Sequence, residues 1–166
     1  MKHHRRDLFV RPYSIITMSF AAIEVFPKEC MGGLISLPTR LPVIVAAVPY
    51  QIAKRTTEEV ETDSSSLLSS LRIGRHLKIG DFHSHPFSGR MESEPLAPSK
   101  TDFEDAIEGE WDLIVRIVRV RSSLHRRMRE HGGSLSMSEG RFRILMRGYY
   151  RDKKDYKEVA IRICNE

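Results

Sequence analysis

Three side chains of metal-binding type stand close together in the middle of the chain. His83 and His85 are one residue apart in KIGDFHSHPF, and Asp102 follows Ser99 by three positions in SKTDFEDAIEGEW. On a strand, side chains at i and i+2 share a face, so both imidazoles can converge on one point. The run LKIGDF ahead of them reads as that strand, and Pro86 is expected to end it at an edge or in a loop. Ser99 opens a helical run with Asp102 at its third position, one turn in, near the positive end of the helix. Two histidines and one aspartate give three protein ligands for Zn2+ and leave a fourth tetrahedral position for water. That is the layout of a catalytic rather than a structural zinc site.

Each piece also has a simpler reading. An H-x-H pair in a chain with 7 histidines is weak evidence alone. The S-x-x-D pattern is equally a helix N-cap with an acidic first turn. Their occurrence in order, beside a strand end and a helix start, is what favours a metal site.

The elements that must position these residues follow from the rest of the chain. The 166 residues, 40% hydrophobic and 30% charged, suit one soluble globular domain spanning 1–166. No apolar run reaches the length of a membrane span. The basic, then apolar, start resembles a signal peptide only superficially, because Glu24 and Lys28 follow at once; a first helix is the better expectation. Cys30 and Cys164 are too few for a disulfide scaffold and lack C-x-x-C spacing, so a reducing cytoplasm is expected. The net charge of +5 favours acidic partners.

From Pro12 to Phe26 the apolar positions Ile15, Ile16, Met18, Phe20, Ala22, Ile23 and Phe26, among them Ile16, Phe20, Ile23 and Phe26 spaced by four, three and three, predict a helix that buries a broad face, stopped by Pro27. GLISL and LPVIVAAVPY read as two strands, the second starting at a sheet edge because of Pro42. Residues 51–63 suggest a polar hairpin and 64–76 a second helix. WDLIVRIVRVRSS reads as a strand, MREHGGSLSMSEG as a turn-rich linker, and RFRILMRGYY and YKEVAIRICN as the last strands. Arg116, Arg119, Arg121, Arg126, Arg127 and Arg129 read as solvated strand edges and a loop. Nucleic acid is not indicated, since no aromatic platform or recognition helix accompanies them.

On these motifs the sequence resembles the JAMM (MPN+, JAB domain) zinc metalloproteases, whose pattern is an upstream Glu, then H-[ST]-H-P, then S-x-x-D. Here it reads Glu29, then His83-Ser84-His85-Pro86, then Ser99-Lys100-Thr101-Asp102. PKECMGGLIS matches the family's P-x-E-x-x-G-x-L-x-G element, with Ser36 at the usual final Gly. The 13 residues between His85 and Ser99 make a longer loop than the family's, and Glu92 or Glu94 within it could approach the metal.

The resemblance implies an α/β MPN (JAB, cytidine-deaminase-like) fold, a mixed β-sheet flanked by helices, in a stand-alone prokaryotic-type enzyme. It implies His83, His85 and Asp102 as zinc ligands, Glu29 as general base and later acid, and Ser99 as donor to the oxyanion. Ser84, on the opposite face, is expected to pack behind the ligands. The implied activity is a zinc isopeptidase acting on an acidic ubiquitin-like or sulfur-carrier protein, its conjugates or its tail. Hydrolysis of small amides by the same chemistry, or a non-catalytic MPN scaffold, are the alternatives.

Overall fold

The computed structural model describes residues 7–39, 41–50, 54–55, 60–61, 77–87, 96–105, 107–153 and 155–165. Strand β1 (Leu8–Val10) leads into helix α1 (Pro12–Val25), then β2 (Met31–Ser36) and β3 (Val43–Pro49). A hairpin, β4 (Lys54–Arg55) and β5 (Val60–Glu61), forms its own small sheet. Next come β6 (Leu77–Phe87) and the short helix α2 (Lys100–Asp105). The chain ends with β7 (Trp111–His131), β8 (Ser134–Asp152), β9 (Asp155–Val159) and β10 (Ile161–Ile163).

Eight strands make one mixed sheet in the order β10-β1-β3-β2-β6-β7-β8-β9. Among the described strands only β1 with β10, β1 with β3 and β6 with β7 run parallel. The sheet is mixed, as expected, but it dominates: among the described residues only α1 and α2 are helical, so the protein is mostly β. The helix expected over 64–76 lies outside the described residues, as do Glu92 and Glu94.

Alternation along the strands decides what each face does. One face, with Leu34, Ile44, Phe82, Leu113, Val115, Ile117, Ile144 and Met146, packs on α1. Helix α1 starts at Pro12, whose missing N–H costs nothing at a first helical position. It buries Ile15, Met18 and Ala22 with Ser14 and Ser19, and Ile16, Ile23 and Phe26 pack partly buried against the same core, so of the expected apolar face only Phe20 turns outward. Phe20 is 41% exposed and lies under the Arg126 guanidinium. The helix is apolar nearly all round, so periodicity alone could not choose the stripe.

Three further expectations change. Pro42 does not mark an edge: β3 is interior, flanked by β1 and β2, and Pro42 precedes the strand with its carbonyl accepting the Phe9 N–H. Pro86 does not end β6, which pairs with β7 as far as Phe87↔Val118. The Ser84 N–H points to β2, so position 86 also faces that side, where β2 has already begun at Met31 and no partner is lost. Residues 128–140 are not a linker. They are the far half of a long hairpin whose Gly132-Gly133 turn has φ values of 57° and 87°. In SLSMS, Leu135 and Met137 alternate inward and are buried in the main core.

Candidate metal centre

The opposite face of the sheet carries the candidate metal ligands. Backbone pairing of β6 with β2 and β7 sets its floor: Met31↔His83 on one side, His83↔Ile114 and His85↔Arg116 on the other. Glycines let the strands approach. A Cβ at Gly80 would fall inside the Trp111 backbone. Gly33 leaves room for the Tyr50 ring, whose hydroxyl donates to Asp81, itself paired with Lys78 at 2.7 Å. On the far face Ser84 is fully buried. Its N–H donates to the Cys30 carbonyl at 2.8 Å and its Oγ accepts the Cys30 N–H at 2.8 Å. That pair clamps the strand between the two histidines to β2, as the packing role expected of Ser84 requires.

Helix α2 delivers the third group. The Ser99 Oγ accepts the Asp102 N–H at 3.1 Å, and Asp102 Oδ2 accepts the Ser99 N–H at 2.6 Å. This reciprocal capping box fixes the carboxylate at the start of the helix. Asp102 Oδ2 then stands 3.4 Å from His83 Nε2 and 3.6 Å from His85 Nε2. The ligand atoms of His83, His85 and Asp102 lie within 4.8 Å of one another. His83 Nε2 is buried without a hydrogen bond of good geometry, an orphan that a cation would satisfy. Two imidazole nitrogens and one carboxylate oxygen are a donor set suited to zinc.

Two residues around this group carry no spacing signal in the sequence. Asp112, two positions into β7, presents Oδ1 at 3.3 Å from His83 Nδ1; the approach is off the hydrogen-bond line but close enough to favour a proton there. A carboxylate behind a ligating histidine fixes which nitrogen is left for the metal. Tyr156, on β9, donates to the Asp102 carbonyl at 3.2 Å and to Asp112 Oδ2 at 3.4 Å, tying α2 to the floor. Only the strand register reveals either one. Ahead of α2, Leu96 is buried against Ile114 and Tyr149, and its carbonyl accepts the Tyr149 hydroxyl.

Electrostatics follow from this crowding, taken without an ion. Burial opposes charge on Asp102, but the close approach and charge of His83 and the Ser99 contacts outweigh it and hold the carboxyl well below its usual range. Burial likewise opposes charge on His83, yet Asp112 and Asp102 keep it protonated well above the ordinary histidine value. His85 is lowered to about 4, by burial first and then by the charge of His83.

Of the expected site residues, His83, His85, Asp102 and Ser99 come together. Glu29 lies two residues before Met31, the partner of His83, which puts its backbone level with His85. Glu24 is exposed on α1, along a cleft of about 370 Å³ lined also by Tyr13, Phe20 and Cys30. Arg116, expected on a solvated edge, is instead buried, its guanidinium 5.2 Å from the Phe87 ring centre. Neither Cys30 nor Cys164 is joined in a disulfide.

No family model matches the chain, and no curated protein matches it. Among solved structures it is similar to the solution structure of protein DSY2949 from Desulfitobacterium hafniense. The identity is 17% and the TM-score 0.65, with 96% of this chain and 94% of the other covered. At that identity the likeness shows a shared fold. Among the described residues no helix is long and apolar enough to cross a membrane.

Proposed function

We propose that the protein is a zinc-dependent isopeptidase of the MPN+ type, with the MPN fold and a cytoplasmic place of work. Its substrates are conjugates or tails of a ubiquitin-like or sulfur-carrier protein. The observation that carries this reading is the meeting of His83, His85 and Asp102 within 4.8 Å, where the H-S-H-P strand reaches the Ser99-capped helix.

His83, His85 and Asp102 would hold the zinc, which when bound supplies Lewis acidity toward water and the scissile carbonyl. Asp112 keeps a proton on His83 Nδ1 and so leaves Nε2 for the ion. Glu29, level with His85, takes a proton from the attacking water and returns it to the leaving amine. Ser99 Oγ already accepts the Asp102 N–H, which leaves its O–H to donate toward the developing oxyanion.

The test is metal content with turnover. Purified protein should carry about one zinc per chain, and His83→Ala or Asp102→Ala should lose most of it. Glu29→Gln should keep zinc and fold while turnover falls roughly 100- to 10,000-fold. Full zinc in both ligand variants would refute the site, and an active Glu29→Gln would refute the proton-transfer role.

A further inference from the structure

The long hairpin joins the candidate metal centre to a cationic surface that includes several arginines of the basic run from Arg116 to Arg129. Near the site, β7 turns Asp112, Ile114, Arg116 and Val118 toward the histidine face, while Leu113, Val115 and Ile117 point into the α1 core. On β8 the core residues are Ile144 and Met146, so Arg143, opposite Val118, lies on the histidine side.

Farther out the parity changes. The register shifts between Arg119 and Arg127, and Gly140 takes a φ of 53°. Beyond it the inward residues are Leu135, Met137 and Met128. Arg127↔Ser138 and Arg129↔Ser136 therefore point outward, on the same side as Arg143 and the histidines. The irregularity thus keeps one face continuous for the whole hairpin, from Arg116 beside His85 through Arg143 to Arg127 and Arg129.

Arg143, Arg127 and Arg129 are exposed, and among the described residues none of them meets a carboxylate. Arg126 and Arg162, by contrast, are paired with Glu139 and Glu130. The platform under these arginines is firm. Leu135 and Met137 are buried, and Glu130 accepts the Ile163 N–H.

We infer that the outer face of the β7–β8 hairpin is a docking track for an acidic protein segment, leading it to the metal centre. This rests on the peptidase reading for what happens at the end of the track. Unpaired guanidinium groups in a chain of net charge +5 are complementary to carboxylates. Two serines on this face direct their hydroxyls to the hairpin's own backbone, Ser138 opposite Arg127 to the His125 carbonyl and Ser134 opposite His131 to the His131 carbonyl. Among the described residues the cross-strand partners of Arg127 and Arg129 are Ser138 and Ser136, with no Phe, Tyr or Trp between them on which a base could stack, which favours a polypeptide over single-stranded nucleic acid.

The experiment measures binding of a labelled decaglutamate peptide by anisotropy at low and moderate salt, with zinc-loaded and metal-free protein. Wild type should bind it more weakly as salt rises. Arg127→Glu with Arg129→Glu should lower affinity at least about tenfold at low salt. Lys28→Glu with Lys153→Glu makes the same change in net charge at exposed positions off this face, and should cost less than about threefold. An equal loss in both double variants, no loss in the first, or no binding by wild type would overturn the inference. So would oligothymidylate binding as tightly through the same two arginines. Because binding is read with and without zinc, a chain that binds the peptide but takes up no metal would refute the peptidase reading and leave the track standing.

Discussion

His83 and His85 face one point but differ in what lies behind them. His83 has Asp112 on its second nitrogen, whereas His85 sits beside the strand that carries the Arg116 cation. Without metal this gives opposite titrations. As pH falls from about 6.5 toward about 4, the unfolded chain takes up a proton that folded His85 refuses. His85 therefore removes stability across that window, up to roughly 3 kcal/mol. His83, protonated in both states below about 6.5, adds no slope there. Denaturant unfolding of metal-free protein between pH 7 and pH 4 should show the fall, and His85→Gln should flatten it; an unchanged slope in the variant would assign the loss to other groups. The H-x-H and S-x-x-D spacings were readable in the chain because each is a local geometric rule. Asp112 and Tyr156 were not, because each reaches the centre only through pairing of strands remote in sequence.

At the scale of elements, the floor depends on how tightly β6 and β7 approach. Gly80 is opposite Trp111, and any side chain there meets backbone rather than a movable group. Gly80→Ala should therefore cost about 3 kcal/mol or more and reduce zinc retention, since both histidines ride on β6. Urea unfolding beside metal analysis checks this; a stable variant with full zinc would mean that the strands can part without moving the ligands. The elements themselves were uneven in the sequence. The histidine strand and the capped helix announced themselves by alternation and by the Ser–Asp pair. Pro86 and Pro42 misled because a proline's effect depends on which side its missing N–H faces, and that is known only once the neighbours are placed. Gly132-Gly133 read as a loop although the alternating Leu135 and Met137 beyond it signal a strand.

At the scale of the whole molecule, the far half of the hairpin bends over α1 and brings its turn to β10. The Ile161 N–H donates to the Gly133 carbonyl at 2.8 Å, and the Ile163 N–H to a carboxylate oxygen of Glu130. Leu135→Ala should cost about 2–5 kcal/mol, the range for emptying a fully buried aliphatic site, while leaving the zinc affinity of the folded protein near wild type. Calorimetric unfolding and a chelator competition separate the two effects, and a loss of zinc affinity as large as the loss of stability would mean that the hairpin's far end shapes the site. The mixed sheet was expected; its near-closure was not, because it depends on where the hairpin's turn lands.

That landing also governs how the protein behaves in a crowd. Strands β9 and β10 are the two ends of the sheet and only Ala160 separates them in the chain, so the sheet curls back toward its own start. The outer side of β10 is occupied by the turn and by Glu130. A flat strand edge is where identical chains add to one another and grow into aggregates. Here one such edge is already occupied by a contact from within the same chain, a built-in guard against self-association.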